Sequence, residues 1–166
     1  MTKLAVIAHN MRSIHNVGSL LRTADGLGVD LVYLSGYTAY PAKENDERLP
    51  HLAKKLDAQI HKTALGAERT VNWRHTDTLE QAVQKLKEDG YTIIALEQNE
   101  KSILLSDYAN RPDNIALLLG SEREGLSKEE LRYADQIREI QMIGSNESFY
   151  VVQAAAICLY TFSNLS

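Results

Sequence analysis

The residue types best suited to chemistry fall in three short segments: EQNEKS (97–102), GSEREGLS (120–127) and QMIGSNES (141–148). Each follows a short apolar run that reads as a strand. In open parallel sheets, ligands bind beyond the carboxyl ends of the strands. Gly120 and Gly125 flank two glutamates, Glu122 and Glu124. A glycine directly after a buried strand lets a ligand approach the backbone closely. The carboxylates would repel a phosphate, so this loop suits a neutral or cationic ligand read by backbone groups. Neither GxxxxGK[ST] nor a GxGxxG after a strand occurs, so no standard nucleotide cradle is expected. The two histidines of HNMRSIH (9–15) stand six apart, a poor match to a zinc pair, and no metal is expected. There is no GxSxG elbow for a serine nucleophile. The lone cysteine, Cys158, sits in an apolar run and reads as a small buried hydrophobe.

These segments need a scaffold. KLAVIA (3–8), LVYL (31–34), YTIIAL (91–96), IALLLG (115–120) and QIREI (136–140) read as strands, and TVNW (70–73) as a further one. Asn16 can cap a helix over 17–27, with Gly28 as its stop. Residues 35–50 read as a long loop, and HLAKKLDA (51–58) as a short helix. Asp77 with Glu80 resembles a capping box for a helix to Asp89, stopped by Gly90. Ser127 with Glu130 opens a short helix, and 148–164 forms the last one. Alternating strands and helices predict an α/β fold, Rossmann-like, with a mostly parallel sheet and helices on both faces. No repeat or linker divides the chain, so residues 1–166 are expected to form a single domain.

Composition bounds the rest. With 166 residues, 44% hydrophobic and 24% charged, the chain is ordinary for one globular domain. No stretch reaches a membrane span of roughly 18 apolar residues, and the N-terminus lacks the features of a signal peptide. One cysteine cannot form an internal disulfide, which fits a reducing, cytoplasmic location. The net charge of −4 argues against a broad nucleic-acid-coating surface. Charge is uneven, however. Residues 43–75 hold 7 Lys/Arg against 5 Asp/Glu, while residues 97–147 hold 6 against 11. Lys43, Arg48, Lys54 and Lys55 are candidates for phosphate contacts, or else ordinary solvated charges.

Three stretches carry a resemblance: HNVGSLLRTADGLGVD (15–30), ALLLGSEREGLS (116–127) and IQMIGSNESFYVVQAAAI (140–157). In order and separation they resemble the motifs of the SpoU/TrmH class of SPOUT RNA 2′-O-ribose methyltransferases. KTALGAERTVNW (62–73) is similar to the middle segment of a compact, single-domain bacterial branch of that class. The resemblance implies a C-terminal trefoil knot over roughly 115–160, bound S-adenosylmethionine and a homodimer with the target cleft at the subunit interface. The substrate it implies is a tRNA or an rRNA.

It also implies residue roles. Asn16 and Arg22 stand at the asparagine and catalytic arginine of the first motif, about 1.7 helical turns apart. Gly120 and Glu122 carry over from the second motif. Leu96, Ile140, Met142, Ser148 and Phe149 align with cofactor contacts, and Ser148 with a catalytic position as well. Arg22 is expected to orient phosphate and ribose, because a guanidinium with a pKa above about 12 is a poor base. Asn16 can equally be a plain cap, and Met142 and Phe149 plain packing residues. Arg123 and Glu124 take no role from the resemblance and read as solvated.

The third motif departs from the pattern. Gln141 replaces a proline, and Phe149-Tyr150 replaces Leu-Asn. Tyr150 keeps a hydroxyl but loses the paired donor and acceptor of an amide. Two further readings follow. One is a catalytically weak or inactive knot protein that binds S-adenosylmethionine or RNA as a regulator or assembly factor. The other is an ordinary mononucleotide-binding α/β protein.

Overall fold

A computed structural model describes residues 2–107 and 112–164. Among the described residues seven strands form one sheet: β1 (Lys3–His9), β2 (Leu31–Ser35), β3 (Trp73–Thr76), β4 (Thr92–Leu96), β5 (Ile103–Leu104), β6 (Asn114–Leu119) and β7 (Gln136–Glu139). Their spatial order is β3-β2-β1-β6-β4-β7-β5, and every pairing is parallel. The α/β class and the parallel sheet are thus as expected. The helices are α1 (Ile14–Gly26), α2 (Pro50–Ala64), α3 (Ala67–Thr70), α4 (Leu79–Glu88), α5 (Lys128–Leu131) and α6 (Val151–Asn164).

Strand alternation sorts the core onto two faces. Leu4, Val6 and Ala8 face one way with Leu117 and Leu119, under α1, α2 and α6. Ala5 and Ile7 face the other way with Ala116 and Leu118, under Leu79, Val83 and Leu86 of α4. Both faces of β1 and β6 are buried, which is why their sequences read as unbroken apolar runs.

Several boundaries differ from the sequence reading. The N-cap of α1 is Ser13, whose hydroxyl accepts the Asn16 amide at 3.2 Å. Asn16 is not the cap; its side chain serves a tertiary contact described below. Helix α2 runs past Ala58 to Ala64 because Ile60 and Ala64 are buried against α1. Burying one isoleucine is worth about 1.5–3 kcal/mol, more than the few tenths per residue that the poorer helix formers His61 and Thr63 forfeit. Thr70 is not in a strand. Residues 67–70 form a helical turn around Glu68, whose buried carboxylate accepts the Gly66 amide at 2.9 Å and lies 2.6 Å from His61 Nδ1. The capping box of α4 is Thr78 with Gln81, one residue beyond the expected pair, while that of α5 is Ser127 with Glu130 as expected. Strand β5 went unrecognised, since two residues carry no periodicity. Helix α6 starts at Val151, so Ser148, Phe149 and Tyr150 lie in the preceding loop.

Two features of this scaffold invite direct test. Helices α1 and α2 approach so closely at Gly18 that a Cβ there would overlap Thr63 Oγ1 and the Ile60 carbonyl. Thr63 Oγ1 also donates to the His15 carbonyl at 2.7 Å. Gly18→Ala should therefore cost roughly 1–3 kcal/mol in urea unfolding; an unchanged midpoint would show that the helices part freely. At the end of β1, buried His9 places Nδ1 2.8 Å from Ser35 Oγ and Nε2 3.3 Å from Glu130. Burial lowers its pKa below 6.5, with the Glu130 carboxylate opposing. The unfolded chain then takes up the proton first, so stability is full above about pH 6.5 and is lost as pH falls towards the folded value. Urea midpoints at pH 7.0 and 5.5 should drop more for the parent chain than for His9→Gln, and equal drops would contradict this assignment.

Candidate functional site

Because all strands point the same way, the loops after β1, β4, β6 and β7 gather at one edge of the sheet. Loop 120–126, after β6, is central. It closes on itself through Ser121 and Gly125, whose amides donate to each other's carbonyls at 3.3 and 3.0 Å. Gly120 and Gly125 make this possible. A Cβ on Gly120 would overlap the Gly125 carbonyl, and Gly125 has φ +63°, a left-handed conformation.

Two cavities adjoin this loop. The first is a pocket of about 230 Å³ between loop 120–126, the end of β4 and residues 139–149. Leu96, Gly120, Ile140, Met142, Ser148 and Phe149 all line it, so the structure brings together every residue assigned to the cofactor from the sequence. The second is an open cleft of about 1310 Å³ that Asn16, Glu122, Ser148 and Tyr150 line. Glu122 and Arg123 of loop 120–126, with Met142, Ser148, Phe149 and Val151, belong to both walls. Arg22 lines neither cavity. It is exposed on α1, past the end that faces the cleft.

Glu122 joins the first and second sequence motifs. Its carboxylate accepts the amides of Arg12 and Ser13, each at 2.9 Å, and the Asn16 side-chain amide at 3.2 Å. Half-burial opposes ionisation of Glu122, but these donors outweigh it and hold the group below the ordinary carboxylate range. A carboxylate at the amino end of α1 also meets the positive end of the helix dipole. So engaged, Glu122 is a poor proton acceptor and a firm anchor. Asn16 is thereby held in the cleft rather than spent on capping.

Tyr150 lies at the cleft. It is 81% exposed on the cleft rim, and only its carbonyl enters α6, accepting the Ala154 amide at 2.9 Å. Arg123 and Glu124 are exposed, as expected of solvated residues, yet both line the pocket. Sequence reasoning missed Arg12, Ser13, Glu97 and Gln98. The last two open the EQNEKS segment, so their position after a strand was a signal. Nothing in the sequence pairs Arg12 and Ser13 with Glu122, 110 and 109 positions away. Among the described residues no cluster of His, Cys, Asp or Glu could hold a metal ion.

Known proteins resemble this chain in sequence and in fold. The pattern of the SpoU rRNA Methylase family matches residues 3–160. A 23S rRNA (guanosine-2′-O-)-methyltransferase RlmB from Neisseria meningitidis is 30% identical over 94% of this chain and 56% of its own length. The chain thus spans a little over half the length of that relative. A tRNA (guanosine(18)-2′-O)-methyltransferase from Thermus thermophilus is 31% identical over 95% of this chain and 72% of its own. Among solved structures, the A. aeolicus TrmH/SpoU tRNA modifying enzyme superposes with a TM-score of 0.76 at 25% identity, covering 98% of this chain and 75% of that one. An AdoMet-bound rRNA methyltransferase from Sinorhizobium meliloti, at 23% identity, gives a TM-score of 0.78 over 99% of this chain and 57% of that one, a likeness of fold. With its three motifs gathered around one loop, the chain belongs to the SpoU rRNA Methylase family.

Proposed function

We propose that this chain is an S-adenosylmethionine-dependent methyltransferase acting on a ribose 2′-hydroxyl of tRNA or rRNA. The observation that carries the reading is the shared wall. A pocket for a small ligand and a cleft wide enough for a nucleotide meet along Glu122, Arg123, Met142, Ser148 and Phe149. A methyl group passed between occupants of the two would travel only across that seam.

The lining fits the cofactor. Glu97, Glu122, Glu124 and Glu139, against Arg123 alone, give the pocket an acidic wall suited to a ligand with a sulfonium and an ammonium group. Leu96, Ile140, Met142 and Phe149 offer apolar surface to an adenine. When bound, the cofactor supplies an electrophilic methyl group. The protein's own residues do the positioning. Glu122 fixes Asn16, which lines the cleft; Ser148 stands where the two cavities meet; Tyr150 offers an aromatic side chain at the rim. Arg22 orients phosphate and ribose as the hydroxyl loses its proton.

Arg22 lines neither cavity of its own protomer. That supports a homodimer, in which Arg22 of one copy completes the cleft of the other. The exposed Phe149, Tyr150, Ile157 and Tyr160 along the loop and α6 supply apolar surface for such a contact. The interleaved order of β6 and β7, on either side of β4, supports a trefoil knot over 115–160. The whole forms one domain. Cys158 supports a reducing, cytoplasmic setting: burial pushes its thiol up to about 12, leaving it inert.

The same reading assigns RNA phosphates to α2. Lys54, Lys55 and Lys62 are exposed there, while Asp57 is turned to the Ala42 amide at 2.9 Å. Arg48 drops out of the expected set. Its guanidinium lies 3.6 Å above the Tyr40 ring, bonds Asp46 and the carbonyls of Tyr40 and Pro41, and is 14% exposed.

Titration with S-adenosylmethionine followed by methyl transfer to bulk tRNA and rRNA tests the activity. Transfer should occur, and Arg22→Ala should abolish it with cofactor binding kept. Tight binding with no transfer to any RNA would favour the inactive-binder reading instead. Replacing Lys54 and Lys55 by alanine should weaken RNA binding and reduce its logarithmic salt slope by about one for each phosphate that goes unneutralised. An unchanged slope would remove α2 from the interface.

A further inference from the structure

Beyond the charge that Glu97 lends the pocket wall, Glu97 and Gln98 hold both walls of the pocket by hydrogen bonds. Glu97 and Gln98 follow β4 directly, and both line the pocket. The Glu97 carboxylate reaches loop 120–126, where Oε2 accepts the Leu126 amide at 2.9 Å. Its other oxygen accepts the Gln98 amide at 3.1 Å, and its own amide donates to the Arg138 carbonyl of β7 at 3.0 Å. The carboxylate lies so close against Gly125 that any Cβ there would collide with it. Gln98 reaches the opposite loop, donating its side-chain amide to the Glu147 carbonyl at 3.0 Å, next to Ser148.

Loop 120–126 is thus gripped from two sides. Glu122 ties it to the amino end of α1, on the cleft side. Glu97 ties it to the end of β4, on the pocket side. Loop 144–149 consists of exposed residues, and among the described residues its side-chain tie to β4 runs through Gln98 alone. One dipeptide therefore sets the distance between the loops that face each other across the pocket.

We propose that Glu97 and Gln98 are positioning residues that clamp loops 120–126 and 144–149 into the shape that receives the cofactor. This rests on the cofactor reading above. The essential property of Glu97 is an acceptor for the Leu126 amide. An oxygen there removes one backbone donor from competition with the ligand and keeps Gly120, Ser121 and Glu122 in register with both cavities. A glutamine keeps one such oxygen, and an alanine keeps none.

The test compares the full chain with Glu97→Gln, Glu97→Ala and Gln98→Ala by amide hydrogen exchange and by calorimetric titration with S-adenosylmethionine. Glu97→Ala should speed exchange at Leu126 and weaken cofactor binding by about tenfold each, the scale of one charge-assisted hydrogen bond. In turnover the loss should fall on the KM for the cofactor more than on kcat. Glu97→Gln should recover binding to within about threefold of the parent. Gln98→Ala, a change at an exposed side chain, leaves folding intact; it should speed exchange in 144–149 and leave 120–127 unchanged. Unaltered exchange in both alanine variants would overturn the clamp, as would Glu97→Gln binding no better than Glu97→Ala. A parent chain that binds no S-adenosylmethionine would sink the cofactor reading, while the exchange comparison would still judge the clamp.

Discussion

Strand β6 pairs with β1 on one side and β4 on the other, parallel to both, with Val6 opposite Leu117 and Leu117 opposite Ile94. That single insertion governs where the chemistry can occur. A parallel sheet delivers all its strand ends to one edge, and the middle strand delivers its loop to the middle of that edge. Loop 120–126 therefore borders the loop after β1, the loop after β4 and the return from β7. Had β6 lain at the sheet margin, Glu122 could not reach Arg12 and Ser13, and Glu97 could not reach Leu126.

The loop so placed is stiff for reasons of backbone chemistry. Mutual hydrogen bonds between Ser121 and Gly125 close it, and its two glycines permit contacts that any Cβ would block. Two carboxylates then satisfy donors on either side. Glu122 takes amides at the start of α1, and Glu97 takes the amide of Leu126. Acidic residues that would spoil a phosphate site are here structural acceptors, and they leave the adjoining pocket suited to a cationic guest. The physical logic is preorganisation: groups that must not move are bonded before any ligand arrives.

Elements that depend on local pattern were legible in the sequence. Apolar runs marked β1, β2, β4 and β6, and the Ser127/Glu130 pair marked α5 to the residue. Errors arose where tertiary contacts overrode local preference. The helical turn 67–70 around the buried Glu68 carboxylate takes Thr70 out of the strand expected over 70–73, the packing of Ile60 extends α2, and Glu122 takes the Asn16 side chain away from capping. All the residues assigned to the cofactor from the motifs line one pocket: Leu96, Gly120 and Ile140 at or just past strand ends, and Met142, Ser148 and Phe149 in the loop between β7 and α6.

The sequence by itself determined the fold class, the loops that line the cavities and the family, because these follow from hydrophobic period and from short motifs. Only the tertiary structure decided which distant residues meet. It brought Glu122 to Arg12 and Ser13, Glu97 to Leu126 and Gln98 to Glu147, contacts between segments that no local period relates. It also set Arg22 outside both cavities and left Tyr150 open on the cleft rim, since exposure depends on what the rest of the chain covers.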